Sequence, residues 1–326
     1  TLDGENVVVS QDKTETARFP LHTLEGILCF SYAGASPALM GACAQRDVDL
    51  AFFTPRGRFL ARTAGETKGN VLLRQQQYRA ADDPGVSCRY AKGFLLGKVY
   101  NARWVLERAT RDHPQRVPVE TLKALSGQLA QALSRIEDAM TLEELRGIEG
   151  EAAQAYFRGF DFLILQQREA FSFTKRTRRP PLDPVNALLS FAYTLLARDC
   201  AAALEGVGLD PYVGFLHRSR PGRTSLALDL MEELRTVYAD RFVLTCINQK
   251  TILPKHCVRQ ESQAVLLTDE GRRAFLRAWQ LRKQQTIQHP FLGEKIAWGL
   301  VPYAQALLLA RTLRGDLDAY PPFFWK

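Results

Sequence analysis

The sequence predicts an α+β protein with a small N-terminal β-rich domain followed by a large all-α domain. Short β-branched and aromatic runs, punctuated by Gly, Pro and Asp, crowd the first 68 residues. From residue 85 onward, apolar residues recur at helical spacing instead. Charge divides the same way. Residues 1–90 hold 10 basic and 10 acidic side chains, whereas residues 91–326 hold 33 and 25. The net charge of +8 therefore lies wholly in the second part, which suits either a polyanionic partner, nucleic acid first, or a merely soluble basic protein.

The strands are expected in "ENVVVS", "TARFPL", "GILCFSY", "VDLAFFTP" and "GRFLARTAG". One short helix interrupts them in "SPALMGACAQRD", with Ser36 as N-cap and Pro37 at its first position. "NVLLRQQQYRAADD" is a connecting helix, grouped with the first domain to give boundaries of 1–84 and 85–326. Helices then follow in "AKGFLLGKVYNARWVLERATRD" and "VETLKALSGQLAQALSRI". "TLEELRGIEGEAAQAYF" opens on a capping box, Thr141 with Glu144. "DPVNALLSFAYTLLARDCAAALEG" starts at Asp183–Pro184 and is expected to stop before Gly206.

Several classes are excluded. The six cysteines form no CxxC pair and no zinc-finger spacing, and a disulfide framework is not expected in a chain this long. Reduced core thiols and a cytoplasmic location are expected. No apolar run of about 18 residues marks a membrane span. No Walker loop, GxGxxG or GxSxG is present. The chain opens on Thr1 rather than Met, so a short preceding segment, with room for a strand, is expected.

The residues that carry chemistry are few. Glu149 lies within the apolar stripe Leu145, Ile148, Ala152 and Tyr156, and a carboxylate there needs an arginine or a metal ion. Leu226, Leu230, Leu234 and Val237 form the core face of a later helix. Asp229, Glu232 and Glu233 sit on its other side, close enough to repel unless a cation offsets them. Arg218, Arg220, Arg223 and Arg235 are candidates, as is a divalent ion. His217 ends an apolar run before a turn, a setting that fits a ligand or a hydrogen-bonded structural histidine. His256 beside Cys257 lacks two further zinc ligands. Lys175, Arg176, Arg178 and Arg179 precede two prolines and a helix, which suits either phosphate contact or a solvated loop. Phe171 and Phe173 stack or pack, and Asn186, Ser190 and Tyr193 need partners inside an apolar helix. Imidazole with carboxylates suits Mg²⁺ or Mn²⁺.

Three blocks, "GIEGEAAQAYF", "RTRRPPLDPVNALLSFAYTLL" and "GFLHRSRPGRTSLALDLMEELR", resemble the CRISPR-associated integrase/endonuclease family of spacer acquisition. The N-terminal "PLHTLEGILCFSYAGASPALMGACAQRDVDLAFFTPRGRFLA" resembles its subtype I-C branch. The resemblance implies an N-terminal dimerisation domain and a helical catalytic domain that binds a divalent metal. It implies Glu149, His217 and Glu232 as catalytic metal ligands, with Asp229 as a supporting catalytic acid. Many members carry Asp in the third place, where this chain has Glu232. The implied reaction is phosphoryl transfer. The 3′-hydroxyl of a captured DNA fragment attacks a phosphodiester of the CRISPR repeat, and water in its place gives nuclease activity. Lys175, Arg176, Arg178, Arg179 and Arg223 would hold phosphates. The implied partners are DNA, a second copy of the chain and a small ferredoxin-like companion, together forming a heterohexamer. Two other readings compete: a non-catalytic helical DNA-binding subunit, and an unrelated metallo-phosphoesterase.

Overall fold

The computed structural model describes residues 1–326 apart from 13, 25, 31, 33, 47, 55–58, 64, 66–70 and 326. The chain divides into two units, Thr1–Gly69 and Asn70–Lys326. The first is β-rich, as expected. Strands β1 (Leu2–Asp3), β2 (Asn6–Gln11) and β3 (Thr14–Pro20) pair antiparallel in that order. A second sheet joins β4 (Gly26–Cys29), β5 (Asp49–Phe53) and β6 (Phe59–Arg62). β4 and β5 run parallel, so a crossover must link them, and helix α1 (Pro37–Gln45) provides it. Ser36 caps α1 by accepting from Leu39 N at 3.3 Å. Val7, Leu21, Leu39, Cys43 and Leu50 form the buried centre of this unit.

The second unit is a helical assembly. It begins with α2 (Val71–Asp82), and this moves the domain boundary from 84/85 to 69/70. The reason is Gln77, which is fully buried. Its amide donates to the carbonyls of Asp210 and Val213 at 2.7 and 2.9 Å and accepts from Asp210 N at 2.9 Å. That fastens α2 to the unit that follows it. Helices α3 (Pro84–Asp112), α4 (Val119–Asp138) and α5 (Leu142–Phe160) pack on one another. The Thr141 capping box is formed as expected, with Glu144 reaching back to Thr141 N at 3.0 Å. Next comes α6 (Pro184–Gly206), capped by Asp183. α6 runs through Gly206, and the left-handed glycine follows at Gly208, two residues later than expected.

Helix α7 (Ser225–Leu234) continues through a π-helical turn, Arg235–Asp240, into α8 (Arg241–Asn248). α9 (Asp269–Gln284) and α10 (Val301–Arg314) complete the helices. The unit is not wholly helical. Two small antiparallel hairpins, β7 (Cys257–Arg259) with β8 (Val265–Leu267) and β9 (Thr286–Gln288) with β10 (Lys295–Ala297), flank α9. Among the described residues, α6 is the one helix long and apolar enough to cross a membrane. Twelve of its residues are buried in this unit, where it packs against α7 and α10.

α7 is the hub. It packs against α3 on one side and α6 on the other. A Cβ at Gly97 of α3 would come within 2.7 Å of Glu233 Cβ, so glycine permits the close approach of α3 to α7. Glu233 is fully buried and anchors the C-terminal segment. Its Oε1 accepts from Tyr320 Oη and from Gln305 Nε2 at 2.9 Å, and its Oε2 accepts from Phe323 N at 2.7 Å. Asn101 ties the same strap to α7, donating to Glu233 O and Phe323 O, both at 2.7 Å. Arg108 and Arg241 both lie over the Trp325 ring, at 4.8 and 4.2 Å from its centroid.

This anchor sets a pH dependence. Burial raises Glu233 to about 7, against the hydrogen bonds from Tyr320, Phe323 N and Gln305. Its ordinary value is 4.5, so between these values the folded state holds a proton that the unfolded state has lost. Its contribution is complete below 4.5 and is lost as the pH rises through about 7. The melting temperature of Glu233→Gln should therefore gain on that of the wild type between pH 5 and pH 8. Thermal unfolding of both across that range checks this, and a pH-independent difference rejects it.

Candidate metal centre and nucleic-acid face

His217 lies in the irregular loop before α7, rather than at the end of a strand or helix. Asp229 holds it there. This fully buried carboxylate accepts from Phe215 N, Leu216 N and His217 N at 2.7, 3.0 and 3.0 Å. Its Oδ1 also lies 2.6 Å from His217 Nδ1. A carboxylate only accepts, so Nδ1 is the nitrogen that donates to Asp229, and Nε2 is the one turned toward Glu232. Gly214 makes room, because a Cβ there would stand 2.7 Å from Asp229 Oδ2.

One turn later, Glu232 is also buried. Its Oε1 lies 2.7 Å from Arg235 Nη2 and 3.8 Å from His217 Nε2. Its Oε2 lies 2.7 Å from Lys98 Nζ. Burial alone would raise Glu232, but Arg235, Lys98 and His217 outweigh it and hold it at about 2. Glu149, on α5, meets the same Lys98 ammonium through its Oε1. The partner that its apolar stripe required is therefore a lysine from α3. The acids of α7 do not face solvent either, and of the arginines named for them only Arg235 reaches Glu232. Arg218 pairs with Glu143 at 2.9 Å.

The structure thus brings Glu149, His217, Glu232 and Asp229 into one neighbourhood, from α5, a loop and α7. It adds Lys98 and Arg235. Lys98 stands within an apolar run, the same signal that singled out Glu149. Among the described residues no three His, Cys, Asp or Glu side chains already enclose a position for an ion. The donors fit in kind, two carboxylates with an imidazole nitrogen. The point between Glu149 and Glu232 is already a cation's position, because Lys98 stands there.

A narrow cavity of about 30 Å³ opens beside this group, lined in part by Lys98, Glu149, Arg178, Arg235, Thr236 and Asp240. The π turn gives Arg235 and Asp240 a common face toward it. Burial raises Asp240 to about 6 against the Tyr193 hydroxyl, Arg235, Tyr156 and Arg176. Tyr193 donates to Asp240 at 2.6 Å, and the guanidinium groups of Arg176 and Arg235 both lie over its ring, at 5.2 and 5.1 Å.

The basic loop divides into two kinds of cation. Lys175, Arg178 and Arg179 are exposed, and Arg178 also reaches the cavity beside Glu149. Arg176 turns inward, donating to Thr177 O, Asn186 Oδ1 and Ser190 Oγ at 2.5, 2.6 and 3.0 Å. Its role is to fix the loop rather than to offer a free phosphate contact. Asn186 completes this by accepting from Thr177 N at 2.9 Å and donating to Lys175 O at 2.8 Å. Arg223 is half-buried in the loop that follows His217. Phe171 and Phe173 are core residues, and Phe173 stacks on Phe157. His256 is a structural residue whose Nδ1 accepts from Leu253 N.

A β-rich unit, a helical unit that carries the excess positive charge and a buried carboxylate–imidazole group fit a protein that works on a polyanion such as nucleic acid. The chain belongs to the Cas1 family: the model for CRISPR associated protein Cas1 matches residues 1–281. It is 50% identical over 324 residues to CRISPR-associated endonuclease Cas1 1 of Chlorobaculum tepidum, covering 99% of this chain and 94% of that one. The fold matches a casposase bound to its integration product, with TM-score 0.82, 22% identity, and coverage of 99% and 90%. It also matches a chain of a Cas6-RT-Cas1–Cas2 complex, with TM-score 0.80, 23% identity, and coverage of 100% of this chain and 35% of that one.

Asp229 makes a prediction independent of catalysis. Asp229→Ala leaves three buried loop amides without their acceptor, at about 1–3 kcal/mol for each unpaired group. Urea unfolding should show a loss of at least ~3 kcal/mol, the lower end of that sum. A loss of a few tenths would show that the loop does not depend on Asp229.

Proposed function

We propose that this Cas1-family endonuclease joins DNA fragments to a CRISPR repeat by divalent-metal-dependent phosphoryl transfer. The observation that carries the reading is that Glu149 and Glu232 meet at one cation, with His217 Nε2 3.8 Å from Glu232. Asp229 orients the imidazole through Nδ1, and Lys98 and Arg235 pair with the carboxylates. These three side chains would hold Mg²⁺ or Mn²⁺, which when bound polarises a phosphoryl oxygen and stabilises developing negative charge. Arg178, at the cavity beside Glu149, would place the target phosphate, with Lys175, Arg179 and Arg223 tracking the backbone further out. The 3′-hydroxyl oxygen of the fragment forms a new P–O bond as one P–O bond of the target breaks. The number of phosphodiesters is conserved, so no nucleotide cofactor is required. Water in place of the 3′-hydroxyl gives strand cutting.

The partners belong to the same proposal. DNA is the substrate, the β-rich unit supports a homodimer, and a small ferredoxin-like companion joins two dimers in a heterohexamer. A structural neighbour is part of a complex with Cas2, which supports a companion subunit. The six free thiols suit a cytoplasmic setting, and the N-terminal block supports the subtype I-C branch.

The test is incubation of the protein with branched and 3′-hydroxyl-ended duplex DNA and Mn²⁺ or Mg²⁺. His217→Ala and Glu149→Ala should each lower cutting or joining about a hundredfold or more, the several kcal/mol such an ion supplies. Unchanged rates in both variants would remove these residues from the reaction. DNA binding with no reaction in the wild type would make the chain a non-catalytic subunit.

A further inference from the structure

We propose that Lys98 is a built-in counter-ion that keeps Glu149 and Glu232 in place when no metal is bound, and that a divalent cation enters by displacing its ammonium. The second half rests on the metal reading above; the first half does not.

The geometry is specific. Lys98 Nζ touches Glu149 Oε1 and lies 2.7 Å from Glu232 Oε2. The Lys98 side chain is 8% exposed, and those of Glu149 and Glu232 are 30% and 4% exposed. Arg235 takes the other oxygen of Glu232, so Lys98 is the cation that faces Oε2. Buried neighbours Phe94, Leu95, Val99 and Ala102 surround the lysine in sequence, so its ammonium is directed into the site by an apolar helix face. Two carboxylates brought together at this depth repel strongly without a shared cation.

The two cations of Glu232 differ in kind. Arg235 is a planar guanidinium, mostly buried and lying over the Tyr193 ring. Lys98 is a compact point charge on a flexible four-carbon stem, which can withdraw without moving its helix. An ammonium and a divalent ion cannot share the position between Glu149 and Glu232. Metal entry therefore exchanges one cation for another, and the carboxylates stay where Lys98 placed them. Such a site is preorganised before the metal arrives.

The test uses the full-length protein, stripped of metal, with thermal unfolding and Mn²⁺ titration calorimetry as readouts. Lys98→Met should melt below the wild type without metal, and Lys98→Met/Glu149→Gln should recover most of that loss, because one of the facing charges is gone. Mn²⁺ should bind Lys98→Met at least about tenfold more tightly than the wild type, since no resident cation competes. Lys98→Arg should keep its metal-free stability and bind Mn²⁺ at least about tenfold more weakly, because a forked guanidinium grips both carboxylates. This variant carries the test if Lys98→Met fails to fold. No recovery in the double variant would show that Lys98 acts through packing, overturning the counter-ion. Equal Mn²⁺ affinities in all folded variants would overturn displacement. Mn²⁺ binding to none of them would overturn the metal reading and displacement together, leaving the counter-ion to be decided by the double variant.

Discussion

Three carboxylates buried on one ten-residue helix constrain most of the helical unit. Asp229, Glu232 and Glu233 of α7 are all withdrawn from water. A buried carboxylate is tolerated only with a cation or a full set of donors. Each of the three therefore fixes a different part of the chain. Asp229 fixes the loop that carries His217. Glu232 fixes Lys98 of α3 and Arg235 of the π turn. Glu233 fixes the C-terminal strap through Tyr320 and Phe323. Much of the tertiary structure around the site satisfies these three groups.

The local part of this was legible in the sequence. Ser36–Pro37, Thr141–Glu144 and Asp183–Pro184 are caps whose partners lie within three residues, so their pattern can be read directly. The strand runs of the first unit are local in the same sense. The placement of α2 was not, because it depends on Gln77 meeting carbonyls 133 and 136 residues away. The acids of α7 lie opposite the face that its leucines mark, yet they too are buried. A helix packed on both sides has no solvent face, and periodicity cannot show that its polar side is enclosed.

The cations show a similar limit. Composition located the positive charge in the second unit but could not separate arginines that serve the fold from those left for a partner. Arg176 and Arg178 are two residues apart in one basic loop, yet one donates to Asn186 and Ser190 while the other is exposed at the cavity. The clue was the polar set on α6. Asn186, Ser190 and Tyr193 required partners inside an apolar helix, and Arg176 and Asp240 are those partners. Lys98 was visible by the reasoning that found Glu149. Two opposite charges, each inside an apolar helical stripe, are candidates to meet.

Arm length explains why two acids one turn apart on α7 do different work. Asp229 is short, and its oxygens stay close to the backbone of the neighbouring loop, where three successive amides and an imidazole converge on it. A carboxylate so fully engaged has little capacity left for an ion. Glu232 carries one more methylene, which takes its oxygens past the loop to Lys98, Arg235 and the free edge of His217. The attractions there are ionic rather than a closed set of backbone hydrogen bonds, so one cation can replace another without unfolding a loop. The aspartate is suited to positioning and the glutamate to exchange, and their order along α7 brings both to bear on the same histidine.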